Sequence, residues 1–173
     1  MKKFLILLIA FGFFLKSSAQ KDTVHLRNRE AAKNTVTDRP PQAIYFQIGG
    51  SAPILSINYD RRFSRKLNGL GFAIGLGFWG SSGVSVFSVP LSINYLIGRN
   101  NHFVELAAGT AFVSARLNWF DDTESGSTFI QHLNIGYRYQ PVHGGFFFRG
   151  GISPLFFNGG YLTSYYLGFG HNF

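Results

Sequence analysis

The sequence predicts an all-β chain closed into an antiparallel, up-and-down transmembrane barrel of about eight strands. Three observations carry that expectation. A secretory leader opens the chain, an apolar period of two runs with interruptions from Ala43 to Phe173, and the face opposite the apolar one consists mainly of Gly, Ala, Ser and Asn with few ionised groups.

Met1, Lys2 and Lys3 precede the apolar run Phe4 to Leu15, and Ser17 and Ala19 supply small residues for cleavage after Ala19. This pattern marks residues 1–19 as a signal peptide. The run falls short of the roughly 20 apolar residues a spanning helix needs. There is no cysteine, so a cysteine-linked lipid anchor, a disulfide framework and a thiolate metal site are all excluded. Roughly 150 residues remain, enough for one domain. They hold most of the 20 Phe, 8 Tyr and 21 Gly of a chain with only 14% charged residues, and so many rings must fill a core or face something apolar. The net charge of +8 includes three signal-peptide lysines, and without a long Lys/Arg run it gives no footing for a nucleic-acid partner.

Residues 20–42 are polar, lack a sustained apolar period and end at Pro40 and Pro41, which predicts a flexible lead-in segment. The barrel follows over residues 43–173. Its first strand, about Ala43 to Gly50, sets Ile44, Phe46 and Ile48 against Tyr45 and Gln47. The second, about Ile54 to Phe63, sets Leu55, Ile57, Tyr59 and Phe63 against Ser56, Asn58, Asp60 and Arg62, with Arg61 breaking the apolar face near its end. In the third, Leu70, Phe72, Ile74, Leu76 and Phe78 alternate with Gly69, Gly71, Ala73, Gly75 and Gly77. The fourth, about Ser85 to Ile97, opposes Phe87, Val89, Leu91, Ile93 and Tyr95 to Ser88, Pro90, Ser92 and Asn94.

Val104, Leu106, Ala108 and Phe112 oppose Glu105, Ala107, Gly109 and Ala111 in the fifth strand. The sixth pairs Phe129, Leu133, Ile135, Tyr137 and Tyr139 with His132, Asn134, Gly136 and Arg138 on the other face. The seventh, about Gly145 to Ser153, alternates Phe146, Phe148 and Ile152 with Phe147, Arg149, Gly151 and Ser153. The eighth places Tyr161, Tyr165, Leu167, Phe169 and Phe173 on one face. A soluble, lipocalin-like carrier would also alternate, but its apolar face would point inward under a charged exterior. Here the small polar face suits a crowded interior and the Phe, Leu, Ile and Tyr face suits lipid.

The last strand carries a resemblance: Tyr165, Leu167, Phe169 and terminal Phe173 look like the C-terminal assembly signal of bacterial outer-membrane proteins, with His171 standing where the pattern more often has an apolar or aromatic residue. As a whole, Ala43 to Phe173 is similar to the small eight-stranded outer-membrane barrels. The resemblance implies integral residence in the outer membrane of a Gram-negative type envelope, lipid as surroundings and recognition of the last strand by the barrel-assembly machinery. An even strand count then puts both termini in the periplasm, with Ser64 to Asn68, Gly98 to Asn101 and Gln140 to Gly144 as short periplasmic turns. Asn118 to Ser127 reads as the longest outer loop, with Asp121, Asp122 and Glu124 solvated beside Trp119 and Phe120.

Alternation places Asp60, Arg62, Glu105, His132, Arg138 and Arg149 on the inner face, where a carboxylate–arginine network is expected because isolated charges in a filled interior are costly. The glycines of the third strand make room for the arginines. A structural or surface-interaction role follows, with no conducting path through so few strands. The alternative is a lipid-modifying enzyme: Thr128 lies four residues before His132 on the same face. Asn134 stands where resemblance to the lipid A deacylases would require the nucleophilic serine. Gly75, Gly77 and Gly80 match a dinucleotide-binding spacing, but a turn and strand follow instead of a phosphate-holding helix. The five histidines show no ligand spacing, so neither a metal nor another cofactor is expected.

Overall fold

The structure, a computed structural model, describes residues 39–52, 55–119 and 122–173, so the expected signal peptide and nearly all of the lead-in segment lie outside the described residues. Eight strands follow one another: β1 (Gln42–Gly49), β2 (Leu55–Arg62), β3 (Gly69–Ser81), β4 (Val84–Arg99), β5 (His102–Trp119), β6 (Asp122–Tyr139), β7 (Gly145–Phe157) and β8 (Gly160–Asn172). Each pairs antiparallel with its neighbour in sequence, and β1 closes on β8 from Ala43↔Asn172 to Gly49↔Tyr166. Gln42 and Phe173 exchange both backbone hydrogen bonds, at 3.1 and 2.9 Å, which ties the last residue to the first strand. That end of the barrel also carries the β2–β3, β4–β5 and β6–β7 connections and is called the turn end below; the opposite end is the loop end.

The period of two decides which side chains meet which environment. On β2, Ser56, Asn58, Asp60 and Arg62 are buried while Leu55 and Ile57 are exposed. The same inversion holds on β4, where Ser88, Ser92 and Asn94 are buried and Leu91, Ile93 and Tyr95 are exposed. At the β4–β5 turn, Arg99 pairs with His102 across the two residues Asn100 and Asn101. Asn100 takes a φ of 58°, the left-handed conformation that a tight hairpin needs and that Asn tolerates.

Two gaps in the hydrogen-bonded ladders have one cause. The β3–β4 register skips from Ile74↔Leu91 to Gly77↔Ser88, and the β6–β7 register skips from His132↔Leu155 to Ile135↔Ile152. Pro90 and Pro154 fall in those gaps, each lacking the N–H that would bond the neighbouring strand.

The principal departure from the sequence expectation is at Asn118 to Ser127. It is not a long loop: β5 runs to Trp119, β6 begins at Asp122, and pairs such as Arg116↔Ser125 and Ser114↔Ser127 continue the ladder. The alternation fades there because the hairpin rises past the end of β7, so neither face needs apolar side chains. β6 is bonded to β7 only from Gln131 onward. β3 and β7 are also longer than expected, ending at Ser81 and Phe157.

Glycine is required where strands pack side chains into the interior. A Cβ on Gly136 would strike the Gly150 carbonyl and the Tyr166 hydroxyl, whereas one on Gly126, in the outer part of β6, would meet nothing within 4 Å. Gly136→Val is therefore expected to lose about 1–3 kcal/mol of stability, with Gly126→Val within about 0.5 kcal/mol of the parent. Urea unfolding of the refolded protein in detergent micelles measures both; equal midpoints for the two variants would contradict this packing.

Candidate functional site

The interior is built from side chains that alternation turns inward, and its middle is ionic. Arg138 on β6 is its hub. Its Nε and Nη2 donate to Glu105 Oε2 and Oε1 of β5 at 3.0 and 2.6 Å, and its Nη1 and Nη2 donate to Asp60 Oδ1 and Oδ2 of β2, both at 3.0 Å. One planar guanidinium thus binds two carboxylates in forked fashion from strands on either side of the barrel.

Asp60 has further partners. Arg62 Nη2 donates to Asp60 Oδ1 at 2.9 Å, Asn94 Nδ2 donates to Asp60 Oδ2 at 2.6 Å, and Arg62 Nη2 also donates to Asn94 Oδ1. A Cβ on Gly71 would fall on the Arg62 guanidinium, so a bare position on β3 is what lets that side chain lie inside. Glu105 has Arg149 of β7 as second partner, an ion pair of 3.2 Å.

Three guanidiniums face two carboxylates, and the surplus cation is held by rings. Arg149 Nη1 donates to the Tyr45 hydroxyl at 2.5 Å, and its guanidinium carbon lies 5.2 Å from the Tyr45 ring centre and 4.7 Å from that of Tyr166. Arg138 similarly lies over Phe147 at 5.1 Å, and Phe147 stacks on Tyr45 at 4.9 Å. The negative π faces offset positive charge without adding another buried carboxylate. Toward the turn end, Leu67, Leu96 and Phe103 form a buried apolar cluster against which Val142 packs.

Of the six charged residues placed inside from the sequence, five meet: Asp60, Arg62, Glu105, Arg138 and Arg149. His132 is buried too, yet among the described residues it makes no ion pair, and its Nδ1 has no hydrogen-bond partner. Glu105 pairs with Gly136 and His132 lies four residues along β6 from it, roughly 13 Å toward the loop end. Thr128 is exposed on the outer part of β6 opposite Val113, and no hydrogen bond joins it to His132. Asn94, Tyr45 and Tyr166 belong to the network and were absent from the sequence-derived charge set; their parity on β4, β1 and β8 was the available signal. Tyr165, Leu167, Phe169 and Phe173 point outward from β8, with Tyr165 the most exposed of them.

Loss of the hub would strand two buried carboxylates. Arg138→Met is expected to cost about 3–5 kcal/mol, and Asp60→Asn with Glu105→Gln in the same chain is expected to restore much of that loss. Chemical unfolding in detergent reads all three proteins; an Arg138→Met midpoint equal to the parent's would show that Arg138 does not carry the network.

No protein-family model matches the sequence, and no curated protein matches it. Solved structures do. The N-terminal β-barrel domain of Pseudomonas aeruginosa OprF is 14% identical, with 78% of this chain and 96% of that one aligned and a TM-score of 0.59. Ail, the attachment invasion locus protein of Yersinia pestis, is 15% identical over 78% of this chain and 96% of its own, with a TM-score of 0.46. Neisserial surface protein A is 14% identical over 77% and 94%, with a TM-score of 0.48. The fold is thus that of the small outer-membrane barrels with eight antiparallel strands.

Proposed function

We propose that the protein is an integral outer-membrane barrel with a structural or surface-interaction role and a side-chain-filled, non-conducting interior. One observation carries the reading: large apolar side chains are exposed on the outward face of every strand, while ionised groups are buried inside. Ile48, Leu55, Leu76, Ile93, Val104, Leu133, Ile152 and Leu167 represent the eight strands on that outer face. Water would penalise such a surface, and hydrocarbon would not.

The interior supports the absence of a channel. The Arg138 network crosses it, the Leu67 cluster closes it toward the turn end, and Ser51 and Ala52 of the β1–β2 connection are buried at the loop end. At the loop end the β5–β6 hairpin extends beyond the end of β7, whereas Gln42 and Phe173 meet at the turn end, which supports a periplasmic placement of the turn end. The outward row Tyr165, Leu167, Phe169 and Phe173 is the surface we assign to recognition by the barrel-assembly machinery. Glu124, exposed on the part of β6 beyond β7, would then lie outside, where a surface partner would meet it.

The protein refolded into phospholipid vesicles is expected to migrate differently on a detergent gel before and after boiling, and to give no steady conductance in planar bilayers. Ile93→Lys is expected to lower stability in vesicles by about 2–4 kcal/mol, as a cation in the apolar layer should. A species that stays in solution without detergent and shows no gel shift would overturn the membrane placement; a stable conductance would overturn the closed interior.

A further inference from the structure

The turn end of the barrel is basic. Arg61, Arg65, Lys66 and Arg99 all lie there and all are exposed. Arg61 is the outward residue of β2 opposite Gln42 and Phe72, Arg65 and Lys66 occupy the β2–β3 connection, and Arg99 ends β4 beside His102. Of the described carboxylates, Asp60 and Glu105 are buried in the network and Glu124 lies on β6 at the loop end. Among the described residues, Arg116 is the cation of the loop end, opposite Ser125.

Aromatic rings alternate with these cations. Phe63 stacks on Phe72 at 5.8 Å, and Tyr59 meets Phe72 edge-on at 6.2 Å, beside Arg61. His102 Nδ1 and the Tyr137 hydroxyl are 2.6 Å apart, and Tyr139 packs on the same imidazole, next to Arg99. The β2–β3 and β4–β5 connections are neighbours because β3 pairs with β4, so the two groups form one continuous arc. Rings of this kind seat at the boundary between hydrocarbon and headgroups. Long cationic side chains beside them extend into the headgroup layer, where phosphate is the complementary charge.

We propose that this arc, Arg61, Arg65, Lys66 and Arg99 with Phe63, Phe72, Tyr137 and Tyr139, binds the headgroups of anionic glycerophospholipids in the leaflet that surrounds the turn end. The proposal rests on the membrane reading above and deepens it. Net negative phospholipid is held by charge, and zwitterionic phospholipid, whose own ammonium group competes with the arginines for its phosphate, is held less. The lipid shell of the barrel is therefore selective on one side of the bilayer.

The test uses the folded protein in vesicles of phosphatidylethanolamine with a minor fraction of phosphatidylglycerol. The protein is excised with its lipid shell by an amphipathic polymer, and the ratio of the two lipids is compared with that of the bulk. The parent is expected to enrich phosphatidylglycerol about three-fold or more at low salt and to lose that enrichment in molar salt, because exposed charges are screened there. Arg61→Gln/Arg65→Gln/Lys66→Gln is expected to return the ratio to the bulk value, and Arg116→Gln to leave it unchanged.

No enrichment by the parent, enrichment that survives the triple substitution, or equal loss on Arg116→Gln would overturn the proposal. The single variants Arg61→Gln and Lys66→Gln serve in place of the triple one if it does not fold, each expected to lower the enrichment in part. The gel shift on boiling, measured in purely zwitterionic vesicles, separates the two readings. A shift there without lipid selectivity leaves the membrane barrel standing and removes this arc.

Discussion

Closure of β1 on β8 is the pairing on which the rest of the molecule depends. In hydrocarbon an unpaired N–H or C=O has no water to turn to, and an open sheet would leave two such rows. The seam from Ala43↔Asn172 to Gly49↔Tyr166 removes them, and the mutual bonds of Gln42 with Phe173 extend it to the chain's last residue. Closure has a price inside: once the sheet is a tube, every second side chain is confined with its opposite numbers. The two ladder gaps at Pro90 and Pro154 show how little departure the wall contains.

The interior meets that confinement by concentrating charge around one forked cation. Asp60 and Glu105 come from β2 and β5, which do not pair, and Arg138 bridges them. Because the bridge spans the tube, it also fixes the wall's cross-section at that level. The glycines opposite are part of the same solution, since Gly71 leaves the space that the Arg62 guanidinium fills. Charge balance is completed by Tyr45, Tyr166 and Phe147, whose rings flank Arg149 and Arg138.

Most of this architecture was legible as alternation. The faces of β2 and β4 follow from residue parity alone, and parity placed Asp60, Arg62, Glu105, Arg138 and Arg149 on the side where they meet. Parity gives a face but not a height, which is why His132 was grouped with residues it does not pair with. Apolar residues on the inner face, Leu96 and Phe103 among them, escaped notice because a pattern read as apolar out and polar in has no place for an internal apolar layer. The outer part of the β5–β6 hairpin was read as a loop because Ser125, Gly126 and Ser127 carry no apolar signal, although their backbones pair with β5. Outside the apolar layer, hydrogen bonding makes a strand and the side chains need not announce it.

That hairpin also bears on how such a chain can change over time. Within the barrel, a deletion of one residue turns every following side chain of the strand to the opposite environment, so length is frozen there. Beyond Leu117 and its partner Glu124, where β5 no longer pairs with β4 nor β6 with β7, residues added or removed as opposed pairs preserve the register below and disturb no other strand. The molecule thus divides into a wall whose length is conserved by physics and an arm whose length is free to drift.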